Sequence, residues 1–149
     1  MDFKLELVLI PVSDVDRARD FYTQTLGFTL EVDGPAGEGA RIVQVTPPGS
    51  ACSIGFGTGL SIGTGLLVTA PPGSQRGLHL VVADIAAARD EFIARGVAVG
   101  EIRHLQGGRW KPGRDPQRRS YMSFAEFTDP DGNLWLLQEV RHDRGGDNR

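Results

Sequence analysis

The chain has 149 residues, 40% of them hydrophobic and 23% charged, and its formal net charge is -3 at pH 7. These values are typical of a globular protein that buries its own core, and they exclude a disordered or fibrous chain. The slightly acidic balance gives no general electrostatic reason to bind nucleic acid or an anionic membrane, so we expect a small molecule as partner.

Two further features of the sequence concern the location of the protein and its cysteine chemistry. No apolar run approaches the roughly 20 residues of a membrane span, and residues 1–6 lack the basic-then-apolar layout of a signal peptide. A cytoplasmic location is therefore expected. The single cysteine, Cys52, excludes an intrachain disulfide and a cysteine-rich zinc site, and we interpret it as a small buried residue on a strand.

In the first half of the chain, apolar runs alternate with turn residues. A strand is predicted over residues 5–12, and Ser13 or Asp14 caps a helix that runs to about Leu26 and stops at Gly27. Three more strands are predicted, over residues 28–32, 41–46 and 52–56. Residues 57–65 are too rich in Gly and Thr to assign, residues 66–69 either extend the sheet or cross over it, and residues 70–77 form a linker.

The second half repeats this order. A strand over residues 78–82 precedes a helix that Asp84 caps and that runs to about Arg95 before Gly96. A strand follows over residues 97–102, and residues 120–128 and 134–140 form a hairpin around the turn at residues 129–133. The tail, residues 141–149, is polar and is expected to be flexible.

Two segments 70 residues apart are copies of each other. Residues 14–20 and residues 84–90 share Asp, Ala, Arg and Asp at matching places, and each follows an apolar, β-branched run. A second pair, residues 44–49 and residues 126–132, lies at a similar depth in each half. The chain therefore divides into two related modules, and we expect function where the modules face each other.

Residues 11–22, residues 26–28 and the segment Phe-Thr-Asp-Pro-Asp-Gly-Asn-Leu-Trp at residues 127–135 resemble motifs of the vicinal oxygen chelate superfamily. This superfamily includes glyoxalase I, bleomycin-resistance proteins, epimerases and extradiol dioxygenases. The resemblance implies an α+β fold in which two βαβββ modules form a curved mixed sheet around a cleft. It predicts a single domain over residues 1–140, with module one at 3–69, a linker at 70–77 and module two at 78–140.

Within these motifs, several residues have a structural interpretation. Phe21, Tyr22, Leu26 and Phe127 are expected to pack helix on sheet, and residues 129–132 to make a turn. The motifs therefore indicate the fold more strongly than they indicate an activity, because one scaffold hosts both metal-dependent chemistry and metal-free drug binding.

The resemblance also implies where a metal would bind. In metal-dependent members, a His or similar ligand lies near the start of each module's first strand and a Glu or similar ligand on its last strand. In this sequence Leu7, Gly77, Gly55 and Leu136 occupy those four positions. Their side chains offer no donor to a divalent cation, so we expect no metal and no other cofactor.

Strand alternation predicts what lines the cleft instead. His79, Glu126, Gln44 and Gln138 are the polar candidates, and the apolar lining includes Leu7, Met122 and Phe124 with Leu5 and Leu9. His79 and Glu126 either form an acid/base pair or are structural: His79 as a neutral core histidine, and Glu126 paired with Arg114, Arg118 or Arg119. We favour the arginine pairing for Glu126. His104, Glu139 and His142 are expected to be solvated.

The segment at residues 102–119 is predicted to be a long, basic, irregular loop. Its Trp110, beside Arg109 and Lys111, either covers the cleft and stacks on a flat ligand or fills a neighbouring groove or dimer contact. The local excess of Arg and Lys would favour an anionic ligand. Nucleic acid is a poor fit because the rest of the chain is acidic.

Three functions are compatible with these observations. We favour a metal-free protein that binds or sequesters a small metabolite or antibiotic, as the resemblance to bleomycin-resistance proteins implies. The second is a metal-dependent lyase, epimerase or dioxygenase with a displaced ligand set, for example Glu6, His79 and Glu126. The third is a non-catalytic interaction or regulatory subunit. The resemblance further implies a homodimer.

Overall fold

A computed structural model describes residues 1–60 and 68–141. Within these ranges the elements, in chain order, are β1 Leu7–Leu9, α1 Val15–Asp20, a π-helical turn Phe21–Thr25, β2 Thr29–Pro35, β3 Arg41–Thr46, β4 Ser53–Thr58, β5 Leu78–Val82, α2 Ile85–Ala94, β6 Arg103–Gln106, β7 Arg109–Pro112, β8 Ser123–Thr128 and β9 Leu134–Glu139. The predicted α+β class is confirmed. No helix in the described ranges is long and apolar enough to cross a membrane.

The chain divides into two compact units. Unit 1 comprises Met1–Gln75 together with the turn Asp129–Asn133, and unit 2 comprises Arg76–Thr128 together with the chain from Leu134 onward. Each unit contains one helix-bearing repeat and one mixed sheet. The turn at 129–133, although it links two strands of unit 2, is therefore packed as a part of unit 1.

The sheet of unit 1 has the strand order β1-β4-β3-β2, in which β1 is parallel to β4 and the other pairs are antiparallel. Val43, Val45 and Phe56 are completely buried, and the Phe56 ring lies 5.8 Å from that of Tyr22, which follows α1. This face of the sheet therefore carries the core of unit 1. Strand β1 is shorter than the predicted 5–12: the exposed residues 5–6 precede it, and residues 10–12 follow it outside any strand.

The helix of unit 1 begins as predicted. Asp14 is the N-cap, and its carboxylate accepts a hydrogen bond from the Arg17 backbone nitrogen at 3.0 Å. The predicted single helix is instead split into α1 and the π-helical turn, and it ends before Gly27, whose φ of 79° is the left-handed conformation that favours glycine.

A buried polar network holds the turn at 129–133 within unit 1. The Tyr22 hydroxyl donates to the Asp129 carboxylate at 2.8 Å, and both residues are buried. Asn133 donates from its side-chain nitrogen to the Pro11 carbonyl and to Asp129, each at 2.8 Å. The predicted turn is present, and its buried carboxylate is satisfied by donors on both sides.

The sheet of unit 2 has the order β5-β9-β8-β6-β7. Helix α2 is capped by Asp84, as predicted, and packs on β8 and β9, where the Phe92 and Phe127 rings meet edge to face at 5.3 Å. Phe127 is 2% exposed, which confirms its predicted packing role. The opposite face of the same sheet is thereby left clear of the helix.

Two further sequence predictions, both in unit 2, differ from the structure. Residues 97–102 do not form a strand; this segment is held by the Arg89 side chain, which donates to the Gly100 carbonyl at 2.7 Å. The predicted loop at 102–119 contains the hairpin β6–β7, so unit 2 has one strand more than a βαβββ module. The segment 66–69 was predicted either to extend the sheet or to cross over it; residues 68–69 are not in a strand, and 66–67 lie outside the described residues.

Candidate functional site

The face of the unit 2 sheet opposite α2 carries several of the predicted site residues. Strand pairing places His79 beside Leu136 and Leu136 beside Glu126, while Val81, Gln138 and Phe124 form the next row. Because neighbouring strands lie about 4.8 Å apart, the members of each row are side by side on one surface. We call this surface the aromatic face, after the rings that it carries.

A row of aromatic rings crosses this face. The Phe124 ring meets the Trp110 ring edge to face at 5.5 Å and the His79 ring at 6.3 Å. The Trp110 side chain is about half exposed, at 52%. An open surface that carries aromatic rings can accept a planar molecule by stacking and area burial.

The tautomer of His79 follows from its hydrogen bond. Its Nδ1 lies 2.7 Å from the Gly77 carbonyl oxygen, which can only accept, so Nδ1 carries the proton. In the neutral ring, Nε2 is then left as an acceptor. Within the described residues, no hydrogen bond or ion pair joins His79 to Glu126, so the acid/base pair considered from the sequence is not formed.

Glu126 has a different partner from the one expected. Its carboxylate lies 3.8 Å from Arg103, whereas Arg114, Arg118 and Arg119 pair with Asp84, Glu139 and Asp115. The predicted arginine pairing was therefore wrong in its partner. The reason is the unpredicted hairpin, which places Arg103 of β6 directly beside Phe124 of β8.

The Arg103 guanidinium also covers one ring of the row. Its Cζ atom lies 4.5 Å from the centre of the Trp110 ring, within the range of a cation–π contact, which contributes about 0.5–1 kcal/mol at exposed sites. Trp110 itself lies on strand β7 and not in the irregular loop that was predicted. The signal for this hairpin in the sequence was Gly107-Gly108, two glycines with positive φ between four-residue strands.

Behind the aromatic face, buried carboxylates hold the segment between β7 and β8. Asp115 is 1% exposed and accepts hydrogen bonds from the Arg119 side chain and backbone, which lower its pKa from 3.8 to about 2. Glu139 is fully buried; it accepts from the Ile85 backbone nitrogen and from Arg118, each at 3.0 Å. The Arg118 pairing raises the pKa of that guanidinium.

Two predictions of solvated side chains are therefore wrong. Glu139 is buried because it completes the first turn of α2 and neutralises Arg118. His104 is 4% exposed, and its Nδ1 donates to the Gly113 carbonyl at 2.7 Å. His142 lies outside the described residues.

The remaining candidates of unit 2 flank the aromatic row. Gln138 donates from its side chain to the Tyr121 carbonyl at 3.2 Å, which fixes its amide beside Phe124. Met122 precedes β8 and is half-buried; its carbonyl accepts from the Leu105 backbone nitrogen at 3.0 Å. Tyr121 has a φ of 73°, so the backbone entering β8 is in a conformation that non-glycine residues adopt rarely.

The candidates of unit 1 lie on the face of its sheet opposite α1, which we call the leucine face. There Gly55 pairs with Leu9 and with Gln44. Gln44 lines a shallow pocket of about 450 Å³ whose other residues are Glu6, Glu31, Val32, Thr46, Ser50, Ala51 and Ser53. Cys52 is half-buried beside it, and burial, followed by the nearby Glu6, raises the pKa of its thiol.

The four positions implied for metal ligands do not fit a metal ion. A Cβ atom on Gly55 would lie 3.1 Å from methyl groups of both Leu7 and Leu9, so leucine side chains fill the space beside it. Gly77 has a φ of 86°, and Leu136 offers only apolar surface between His79 and Glu126. Among residues 1–60 and 68–141, no three His, Cys, Asp or Glu side chains are grouped to hold a metal.

Comparisons with known proteins agree on one family. The family model "Glyoxalase/Bleomycin resistance protein/Dioxygenase superfamily" matches residues 4–137. The structure of TnmS3, an antibiotic binding protein from Streptomyces sp. CB03234, is similar with a TM-score of 0.69 and 35% identity, covering 93% of this chain and 96% of that one. A glyoxalase/bleomycin resistance protein from the same organism has a TM-score of 0.66 and 36% identity, with 91% and 99% covered.

A curated relative extends the comparison. The uncharacterized protein YetH of Bacillus subtilis (strain 168) is 24% identical over 132 residues, which cover 89% of this chain and 94% of YetH. The resemblance predicted from residues 11–22 and 127–135 is confirmed by these matches. The chain belongs to the Glyoxalase/Bleomycin resistance protein/Dioxygenase superfamily.

Proposed function

We propose that this protein binds and sequesters a small metabolite or antibiotic on its aromatic face, without a metal ion. The observation that carries the proposal is the row His79, Phe124 and Trp110, in which the tryptophan is half exposed on a strand. The exposed half of this side chain leaves indole surface on which an aromatic or apolar ligand can pack.

The similarity to TnmS3 supports a binding role. TnmS3 is an antibiotic binding protein, and its similarity spans nearly the whole of this chain at 35% identity. The superfamily includes both enzymes and binding proteins, so fold alone does not choose between them. The choice rests on the side chains of the aromatic face.

The residues at the implied ligand positions support the metal-free part of the proposal. Methyl groups of Leu7 and Leu9 fill the space beside Gly55 in unit 1, and Leu136 is apolar in unit 2. Zinc, nickel, manganese and iron need imidazole, thiolate or carboxylate donors, which these positions do not supply.

A metal-dependent enzyme is the second candidate, because one observation favours it. His79 and Glu126 lie on either side of Leu136 on the same face, and His79 Nε2 is available as a donor to a metal. These two residues provide an imidazole and a carboxylate, which is fewer than the three protein ligands typical of a catalytic site. A regulatory subunit, the third function considered, would show neither metal nor ligand binding.

Metal content and thermal shift test the proposal together. Tag-free protein purified without chelator is expected to contain no stoichiometric metal by mass spectrometry, and its Tm is expected not to rise with zinc, nickel, manganese or iron(II). A panel of planar aromatic compounds is expected to raise the Tm, because a ligand that binds only the folded state stabilises it. One metal per chain that is lost on His79→Ala would support the enzyme and contradict the proposal.

We further propose that the protein acts as a homodimer in the cytoplasm. The exposed apolar side chains near the N-terminus support association, since Phe3 is 89% and Leu5 67% exposed. Light scattering at micromolar concentration is expected to give twice the mass of the 16.1 kDa chain. Replacement of both residues by serine is expected to return the mass to that of one chain.

A further inference from the structure

Arg103 occupies a special place on the aromatic face. One side of its guanidinium lies over the Trp110 ring at 4.5 Å, and its Nη2 atom lies 3.8 Å from a Glu126 carboxylate oxygen. The two charged side chains are 38% and 53% exposed. The Arg103 guanidinium therefore interacts mainly with the Trp110 ring, and its ion pair with Glu126 contributes less.

The contact with Glu126 is weak for physical reasons. A separation of 3.8 Å is longer than a hydrogen bond, and exposed ion pairs contribute little because water screens them. By contrast, Arg118 and Arg119 hold buried carboxylates at 3.0 Å and 2.8 Å. Those two arginines are committed to the fold, whereas Arg103 can exchange its partner at small cost.

The asymmetry of the pair decides which charge a ligand would replace. A cationic ligand would have to displace Arg103, which is also stacked on Trp110. An anionic ligand would displace only the Glu126 carboxylate, which is already half solvated. A carboxylate presented in the plane of an aromatic ring can then accept two parallel hydrogen bonds from the guanidinium.

We propose that the aromatic face selects planar aromatic acids, whose ring packs on Trp110 and Phe124 while the acid group takes the place of Glu126 on Arg103. This inference rests on the proposed function and adds the charge class of the ligand. Glu126 acts as an internal competitor for Arg103, and its removal strengthens the binding of an acid.

Matched ligands test the charge class. Calorimetric titration compares naphthoate, its neutral isostere naphthamide and the cationic naphthylmethylammonium on wild-type protein, with Tm and circular dichroism as checks of folding. Naphthoate is expected to bind at least about tenfold more tightly than naphthamide, as charge-assisted hydrogen bonds predict. Equal affinities, or a preference for the ammonium compound, would overturn the inference.

Three variants assign the preference to residues. Arg103→Gln is expected to reduce the naphthoate to naphthamide affinity ratio to about one while naphthamide still binds, and Glu126→Gln to tighten naphthoate severalfold. Arg109→Gln is the control, because Arg109 carries the same charge next to Trp110 and pairs with Gln106 at the end of the hairpin. A ratio unchanged in Arg103→Gln would overturn the inference.

The outcomes separate the two proposals. Binding of naphthamide and naphthoate with equal affinity, lost on Trp110→Ala, keeps the binding function and rejects the charge class. Absence of binding for all three compounds, together with no Tm shift from the wider aromatic panel, rejects the binding function itself. Selective, Arg103-dependent binding of naphthoate supports both.

Discussion

The two repeats begin alike and diverge in what they present on the opposite face. Asp14 and Asp84 have nearly the same backbone angles, and each accepts a hydrogen bond at 3.0 Å from the backbone nitrogen three residues on. On the leucine face of unit 1, however, Leu7 and Leu9 fill the space beside Gly55. The aromatic face of unit 2 carries rings, a cation and an anion.

This difference shows which parts of the repeat the fold requires. The N-cap and the buried aromatic residue after it serve helix packing in both units, as Tyr22 and Phe92 show. The face opposite the helix does not support that packing, so its side chains are free to differ. A ligand site is therefore expected on one unit's face without a counterpart on the other.

The largest expected effect is a loss of stability at the buried carboxylate behind the aromatic face. Glu139→Ala removes a fully buried carboxylate that caps α2 and holds Arg118, so we expect a loss of about 2–3 kcal/mol in the free energy of unfolding. In a chain of this length that corresponds to a fall of about 5–10 °C in Tm. Thr58→Ala, at the matching place in unit 1, is the exposed control; equal losses in the two variants would contradict this.

The next largest effect is expected on ligand affinity. Trp110→Ala is expected to weaken any aromatic ligand at least about tenfold, or by about 1.4 kcal/mol, because stacking and burial on the indole are lost. Its Tm is expected to change little since the side chain is half exposed. Val32→Ala on the sheet of unit 1 is the matched control. Equal weakening of ligand binding in both variants, measured by calorimetry, would show that the two faces do not differ in binding.

A smaller effect on stability is expected where the buried aromatic residues of the two repeats differ. Tyr22→Phe makes unit 1 resemble unit 2, where Phe92 stands at the matching place. The change removes the hydroxyl that donates to Asp129 at 2.8 Å, so we expect denaturant unfolding to show a loss of about 1 kcal/mol in the free energy of unfolding. In an Asp129→Ala background the same change should cost less; an undiminished cost would assign the effect to something other than this hydrogen bond.

The last expected effect is a dependence of stability on pH. Hydrogen bonds from Arg119 lower the pKa of Asp115 to about 2, so its stabilising contribution is complete above about pH 5 and is lost as the pH falls through 2. Asp115→Asn is expected to be less stable at neutral pH and to lose less stability between about pH 4 and pH 2 than wild type. Asp90→Asn, an exposed aspartate on α2, is the control, and parallel acid curves for wild type and Asp115→Asn would refute the assignment.

The sequence was informative where local chemistry decides the structure. Strands β3 and β5 and the caps of both helices were predicted at the observed positions, because alternation and N-cap chemistry act over a few residues. The same alternation places His79 and Val81 on one face of β5, where they pair with Leu136 and Gln138. Their role in binding stays a prediction.

The rest depended on contacts distant in the chain. Each strand of the β6–β7 hairpin has one large apolar residue, Leu105 or Trp110, among charged and polar ones, so neither shows an apolar period and both resembled a loop. Glu139 is buried because Arg118, in another segment, neutralises it, and no local pattern indicates that pairing. Arg103 was missed for the same reason, since its neighbours Trp110 and Phe124 become adjacent only through the hairpin.

We have proposed that the aromatic face binds small molecules without a metal. Calorimetric titration of naphthamide into chelator-treated wild-type protein and into Trp110→Ala tests it most directly, because this ligand carries no charge and the protein no removable metal. We expect saturable binding to the wild type, weakened at least about tenfold in the variant. Binding that appears only after zinc, nickel, manganese or iron(II) is restored, or that is unchanged in the variant, would contradict it.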